Sequence, residues 1–201
     1  MMNNQDLPER TMRTITSKFE TREENSEPRI EGYFADFSGV YEIAPGLTES
    51  IDSGAFNDAL ADDIRALTDH NTAMVLGRNK SHTLELKVDS HGLWGSILIN
   101  PKDQDAMNLY ERVKRGDVNQ CSFGFDILNE DTDARDDGSV HWTIRKVKLY
   151  EVSVCTFPAY DTTEVTARSK DAETIRYKVF VGWQQTMRSK HQYLKKEEKN
   201  A

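Results

Sequence analysis

The stretch VNQCSFGFDI, residues 118–127, alternates apolar and polar side chains with a period of two. This period is typical of a half-buried β-strand, whose successive side chains point to opposite faces. One face would carry Cys121, Phe123, Phe125 and Ile127, and the other Ser122, Gly124 and Asp126. A free cysteine among aromatic residues is usually a small buried hydrophobe, so we predict that Cys121 lies in the core. Ser122 then projects from the polar face and is the candidate for chemistry.

A helix is predicted before this strand and a returning strand after it. Residues 102–117, KDQDAMNLYERVKRGD, place four apolar side chains on one helical face, with Gly116 suited to the C-terminal cap. These four are Ala106, Leu109, Tyr110 and Val113. After a predicted loop at 129–139, residues 140–155 alternate again as one or two strands running back. Folding this hairpin about residues 135–137 brings Glu151 roughly opposite Ser122.

Other elements follow from the same patterns. Residues 11–20 and 29–37 alternate as strands, and the charged stretch TREENSEP (21–28) between them is predicted as a turn. Residues 53–67 predict a short helix that runs into a strand ending near Asp69 and His70. The stretch TLELKVDSHGLWGSILI, residues 83–99, predicts a hairpin that turns at DSHG.

Length and composition indicate one domain with tails. The chain has 201 residues, of which 37% are hydrophobic and 30% are charged. It contains no apolar run of the ~20 residues that a membrane span needs, and its polar N-terminus has no signal-peptide core. We therefore expect a soluble intracellular protein without a membrane partner. Two cysteines, Cys121 and Cys155, without CxxC spacing or a Cys/His cluster, favour reduced thiols, no metal and no cofactor.

Charge is distributed unevenly along the chain. Residues 169–201 hold eight Lys/Arg against four Asp/Glu, whereas residues 1–168 hold 18 against 30. The basic tail lacks the aromatic and glycine interleaving of a nucleic-acid module, so we do not expect a nucleic-acid partner. We expect residues 169–201 to form a solvated, largely helical segment that is dispensable for folding and useful for incorporation into an assembly.

A serine hydroxyl becomes a nucleophile only with a base, usually histidine, which a third polar group holds in place. Four of the five histidines fall in turns, at strand starts or in the tail, where surface positions are the default. His70 differs, because ALTDHN leaves an apolar strand at a polar corner. Ser122, His70 and Glu151 therefore form the candidate site, to be weighed against ordinary surface polar groups.

Several motifs, taken in order, resemble the prohead maturation protease family of tailed bacteriophages, related in fold to the herpesvirus assembly proteases. The motifs are EGYFADF, ESIDSGAFNDAL, LTDHNTAMVLGR, DSHGLWGSI, VNQCSFGF and LYEVSVCTFPAYDTTEV, within residues 13–168. The resemblance implies an α+β, mostly β fold, with an antiparallel β-barrel-like core and flanking helices as in the herpesvirus proteases. It also implies a prohead protease domain at 13–168, between a flexible tail at 1–12 and the basic tail at 169–201.

The resemblance assigns the nucleophile to Ser122 and the general base to His70. The herpesvirus relatives use a second histidine as third member, where this chain has Glu151, with Asp69 and Asp126 as alternatives. A carboxylate can hold the imidazole tautomer equally well.

In the herpesvirus relatives the oxyanion hole comes from a loop after the third catalytic residue, and by position that loop corresponds to TFPAYD here. Pro158 has no N–H there, so Ala159 or Tyr160 would donate from the backbone.

The implied activity is that of a serine endopeptidase of capsid maturation, inside the assembling prohead in the host cell cytoplasm. Its expected partners are the major capsid protein and the scaffold as substrates, together with further copies of the chain, which would also cleave itself. One alternative is a catalytically silent capsid assembly or scaffolding protein with the same fold. Another, a cysteine peptidase using Cys121, conflicts with the strand parity.

Overall fold

The structure, a computed structural model, describes residues 11–16, 19–24, 27–157, 171–178 and 181. These residues form two sheets, one long α-helix, a helical segment at 171–178 and short 3₁₀ turns. The strands in chain order are β1 (Thr11–Thr16), β2 (Glu20–Glu24), β3 (Glu27–Asp36), β4 (Val40–Ala44), β5 (Leu47–Ile51), β6 (Arg65–Thr68), β7 (Asn71–Arg78), β8 (Leu84–Val88), β9 (Gly92–Leu98), β10 (Gln120–Ala134) and β11 (Val140–Cys155). The expectation of a mostly β fold is confirmed.

The first sheet is built around the long hairpin of β10 and β11. Its order is β1-β10-β11-β5-β4, and the β6–β7 hairpin joins through β6, which also pairs with β11. Strand β11 therefore has β10 along one edge and two short strands, β5 and β6, along the other. Both short strands run parallel to β11, so the first sheet is mixed and the antiparallel pairing predicted for the core holds only for its other ladders.

The first sheet curls without closing among the described strands. Arg13 of β1 reaches across the inner face to Glu49 of β5, and its Nη2 donates to Glu49 Oε2 at 2.7 Å. Both side chains are buried, and β10 and β11 lie between their strands. A flat sheet would hold them too far apart, since neighbouring strands are about 4.8 Å apart. No ladder joins β1 to β4, so a closed barrel is not found in this part of the chain.

The second sheet has the order β2-β3-β9-β8 and shares the main core with the first. Residues of β3 and β9, such as Ile30, Phe34 and Ile97, pack in the same cluster as Phe123 and Phe125 of β10. The predicted β8–β9 hairpin is confirmed. Of the stretch 21–28, predicted as a turn, residues 21–24 belong to β2 and residues 27–28 begin β3. Strand β2 lies at the edge of its sheet, where charged residues are common.

Helix α1 (Gln104–Arg115) confirms the sequence prediction in detail. The Asp103 carboxylate caps its first turn, and Gly116 ends it with φ 86°. Ala106, Leu109, Tyr110 and Val113 are the buried residues of the helix. The helix closes one side of the main core and returns the chain to the start of β10.

Two other local predictions need correction. Residues 53–64 form turns and one 3₁₀ turn at Ala59–Ala61, not a short α-helix. The strand predicted to follow is confirmed as β6, which ends at Thr68. The predicted loop 129–139 is mostly strand, because β10 and β11 stay paired as far as Ala134 and Val140. Beyond its pairing with β1, β10 is an edge strand of the sheet, and its acidic residues there look like a loop in the sequence.

A second, smaller core involves the described part of the C-terminal segment. Residues 171–178 are helical, and Ala172 is fully buried against Leu47, Val140 and Trp142. Arg176 Nε donates to the Gly138 carbonyl at the tip of the β10–β11 hairpin, at 2.6 Å. The helical expectation is met at these residues, while Val179, Phe180 and the rest of the tail beyond Val181 lie outside the described residues. Of the expected N-terminal tail 1–12, residues 1–10 also lie outside them, and residues 11 and 12 belong to β1. Across the described ranges, no helix has the length and apolar character of a membrane span.

Candidate active site

Ser122 lies in the middle of the first sheet and is fully buried. Its strand neighbours Cys121 and Phe123 point into the main core, as the alternation predicted. Ser122 has zero exposed area, and its Oγ has no hydrogen-bond partner. Burying a hydroxyl without a partner costs free energy, so such a group needs a specific reason to be there.

The pairing of β10 with β11 places two polar residues beside Ser122. Ser153 is directly opposite Ser122, and Glu151 is opposite Gly124. The predicted register, with Glu151 opposite Ser122, is therefore wrong by two residues. Irregularities between Gly124 and Phe125 and around Asn129 shift the ladder, and they cannot be counted from the sequence.

His70 reaches the site from the other edge of β11. It occupies the two-residue turn between β6 and β7, which pair at Thr68 and Asn71. Asp69 and His70 both have positive φ, 47° and 59°, as a type I′ turn requires. Glycine or asparagine is the usual choice at such positions. A histidine held there indicates that its side chain, not its backbone preference, is needed.

The imidazole of His70 is hydrogen-bonded to the buried carboxylate of Glu151. His70 Nδ1 lies 2.6 Å from Glu151 Oε1. The other carboxylate oxygen accepts a 2.6 Å hydrogen bond from Ser153 Oγ, which in turn accepts one from the His70 backbone N–H at 3.2 Å. Glu151 is 3% exposed. A carboxylate on Nδ1 selects the tautomer with its proton on Nδ1, leaving Nε2 free to act as a base.

Gly124 makes room for this carboxylate. A Cβ at position 124 would lie 2.6 Å from Glu151 Oε1, well inside van der Waals contact. In the sequence the glycine could be interpreted as space for a substrate or as relief of strand twist. The structure shows that the Glu151 side chain fills the space, and that a bulge follows immediately.

The two alternative third residues are engaged elsewhere. Asp69 accepts hydrogen bonds from the Thr156 backbone N–H at 2.7 Å and from the Thr156 hydroxyl at 3.2 Å. Asp126 accepts one from the Tyr150 hydroxyl at 2.6 Å. Asp69 thus ties the His70 turn to the end of β11, and Glu151 alone among the three bonds to the imidazole.

The remaining ring nitrogen, His70 Nε2, faces Cys155 and not Ser122. Cys155 Sγ lies 3.9 Å from Nε2, and no hydrogen bond joins Ser122 to His70 in this structure. Burial, together with the charges of Asp69 and Glu151, raises the pKa of the Cys155 thiol to about 12. A reactive cysteine needs a lowered pKa, so Cys155 is a weak S–H donor and not an activated nucleophile.

Sequence reasoning passed over Ser153 and Cys155, although a signal was present. They follow Glu151 at intervals of two and so share its strand face. The other cysteine, Cys121, is fully buried in the core, and its Sγ contacts the Tyr33 carbonyl oxygen at 3.1 Å. That burial agrees with the strand parity and counts against Cys121 as a nucleophile.

A second serine–histidine pair lies on the β5–β11 ladder. Ser50 Oγ is 2.9 Å from His141 Nε2, and His141 Nδ1 is 2.8 Å from Thr48 Oγ1. A hydroxyl takes the place of the carboxylate here, so nothing stabilises an imidazolium as Glu151 can. We interpret this pair as a polar bridge between parallel strands and use it below as an internal control.

The expected oxyanion donors Ala159 and Tyr160 lie outside the described residues. Within the described ranges, no group of three or more His, Cys, Asp or Glu side chains is arranged to hold a metal ion.

The class of protein follows from comparing the whole chain with known families. A family model described as caudovirus prohead serine protease matches residues 16–177, which include every residue of the site. The chain belongs to this family.

Among individual proteins, the prohead protease of Enterobacteria phage HK97 is 30% identical over 152 residues. That alignment covers 73% of this chain and 65% of the HK97 protein, so the chain matches just under two thirds of that relative's length. No solved structure matches the chain significantly.

Proposed function

We propose that this chain is a serine endopeptidase of phage capsid maturation. One observation carries the proposal: the buried Glu151, on the strand next to that of Ser122, is hydrogen-bonded to the half-buried His70, and the hydroxyl of Ser122 has no partner. Membership of a family described as prohead serine proteases supports the same chemistry.

In the proposed mechanism Ser122 attacks the scissile carbonyl of a peptide. His70 Nε2 takes the hydroxyl proton and later gives it to the leaving amine, and Glu151 stabilises the imidazolium through Nδ1. Because Nε2 faces Cys155 in this structure, the imidazole has to turn toward Ser122 in the reactive complex. Hydrogen bonds of free enzymes often tighten in this way when substrate binds. Ala159 or Tyr160 would supply the oxyanion hole.

The proposed substrates are the scaffold and the scaffold-like part of the major capsid protein, cleaved inside the assembling prohead in the host cytoplasm. Self-cleavage and self-association belong to the same proposal, as does kinship of fold with herpesvirus assembly proteases. The alternative, a silent assembly protein, is disfavoured because such a protein has no need to bury Glu151 against His70 or to leave Ser122 without a partner.

Co-expression with the major capsid protein of the same phage tests the proposal. The wild-type chain should yield truncated capsid protein, whose new N-terminus mass spectrometry locates, while Ser122→Ala should yield none. Ser50→Ala removes the hydroxyl of the control pair and should cleave as the wild type does. Cleavage by Ser122→Ala at the wild-type level would refute the assignment. A wild-type chain that folds and assembles but leaves capsid protein and scaffold intact would favour the silent assembly protein.

A further inference from the structure

Ser153 occupies the junction of every element that builds the site. It lies on β11 between Ser122 of β10 and Leu67 of β6, with which it pairs on its two sides. It is fully buried, and both hydrogen bonds of its side chain go to the site: Oγ donates to Glu151 Oε2 at 2.6 Å and accepts from the His70 N–H at 3.2 Å.

Each of these bonds fixes one degree of freedom that the proposed chemistry depends on. A glutamate held only through Oε1 can rotate its carboxylate plane about the last side-chain bond, which is a soft torsion. The bond to Oε2 closes that rotation and keeps Oε1 pointed at His70 Nδ1. The bond from the His70 N–H holds the backbone of a residue whose positive φ is unfavourable for a side chain larger than glycine.

We propose that Ser153 is a positioning residue, which acts on turnover through Glu151 and the His70 turn without touching the substrate. The inference rests on the proposed protease function. The pairing of β10 with β11 supports the proposal further, since Ser153 lies directly opposite the nucleophile Ser122. A displacement of Ser153 would therefore disturb the Glu151 carboxylate, the His70 turn and the surroundings of Ser122 at the same time.

A double-mutant cycle with Glu151→Gln tests the proposal. Ser153→Ala should lower kcat on a capsid-derived peptide by ~10- to 100-fold and leave KM within twofold, because the residue contacts no substrate. In the Glu151→Gln background, the same change should cost less than threefold, since the carboxylate that Ser153 orients is already lost and only the bond from the His70 N–H remains to be broken. A purely structural serine would instead give equal losses in both backgrounds, which would overturn the proposal.

Ser96 provides a matched control in the second sheet. It is buried on β9, its Oγ donates to Glu31 Oε1 at 2.8 Å, and it accepts from Arg29 Nη1 at 3.2 Å. Ser96→Ala thus removes a buried strand serine that bridges a carboxylate and an N–H donor in the other sheet, with no hydrogen bond to the site. It should lower the melting temperature about as much as Ser153→Ala and leave kcat unchanged.

A further variant covers the case in which Ser153→Ala does not fold. Ser153→Cys, kept under reducing conditions, preserves the size of the side chain but replaces the hydroxyl by a weak donor and acceptor. Its kcat should also fall by at least tenfold, and full activity of either folded variant would overturn the role of Ser153. The proposed function fails separately, if Ser122→Ala remains active. An inactive Ser122→Ala beside a fully active Ser153→Ala would remove only the positioning role.

Discussion

At the scale of single residues, the site depends on a close approach between Gly124 and Glu151. Adding a Cβ at position 124 would place it 2.6 Å from Glu151 Oε1 and 3.2 Å from Cδ, so the carboxylate would have to move off His70. Gly124→Ala should therefore lower turnover by ~10²-fold or more, approaching the loss expected when the imidazole loses its oriented partner.

The control for this variant is Gly39→Ala. A Cβ at Gly39 would meet nothing closer than 3.7 Å, and that residue lies outside the strands of the site. Measuring peptide turnover and the melting temperature of both variants separates a loss of activity at the site from a general loss of stability. If Gly124→Ala turned over peptide at the wild-type rate, Glu151 would not need its observed position.

Cys155 gives a prediction for the dependence of stability on pH. Its folded-state pKa of about 12 lies above the ordinary thiol value of 9.0, so the folded protein retains a proton that the unfolded chain releases. The resulting stabilisation is complete below pH 9 and is lost as the pH rises through about 12.

Denaturant unfolding between pH 8 and 11 measures this effect. Cys155→Ala lacks the thiol, and its free energy of unfolding should fall less steeply above pH ~9 than that of the wild type. Parallel curves for the two proteins would show that the thiol titrates at its ordinary pKa.

At the scale of elements, the turn between β6 and β7 places His70 in a left-handed backbone conformation that glycine adopts with less strain. Replacing His70 by alanine or by glycine removes the imidazole in both cases. The difference in the free energy of unfolding between the two variants therefore measures the backbone strain at this position. Because φ at His70 is 59°, His70→Gly should be more stable than His70→Ala by about 1 kcal/mol. In an ordinary strand or helix the order is the reverse. Both variants should be inactive, and equal stability would show that the turn is not left-handed at this residue.

The sequence predicts elements and strand faces better than it predicts which residues of two strands pair. Alternation placed Cys121 in the core, and helical spacing predicted the buried face of α1, because both depend on local periodicity. The pairing of Glu151 depends on bulges in β10, and the parallel pairing of β5 and β6 depends on where the chain returns after long connections. The pairing of His70 with Glu151 could be proposed from the sequence. The positions of Ser153 and Gly124 beside that pair depend on the register between β10 and β11, which the sequence does not show.

At the scale of the whole molecule, two ties hold distant parts of the chain to the first sheet. The buried Arg13–Glu49 pair anchors β1, and breaking such a pair costs several kcal/mol because one charge is left buried alone. The helical residues 171–178 cover Leu47, Val140 and Trp142 at the opposite end of β11 from the site. Neither tie is evident from the sequence, since each joins segments that are distant along the chain.

Truncation after residue 168 tests the second tie. The domain should stay folded, as we expected from the sequence, because the main core contains none of the removed residues. It should lose about 1–3 kcal/mol of stability, as expected when one or two large apolar side chains become exposed. Ala172→Asp in the full chain should reproduce that loss by placing a carboxylate in the apolar cluster. An unfolded truncation, or one as stable as the full chain, would contradict this account of the helix.

The most direct test of the central claim is the labelling of the purified protein with a fluorophosphonate, followed by peptide mapping. We predict that the label is found on Ser122 and that His70→Ala abolishes it. Glu151→Gln should slow it by ~10²-fold or more, and Ser50→Ala should leave its rate unchanged. Label on Ser50, or Ser122 labelling at the wild-type rate in His70→Ala, would contradict the account.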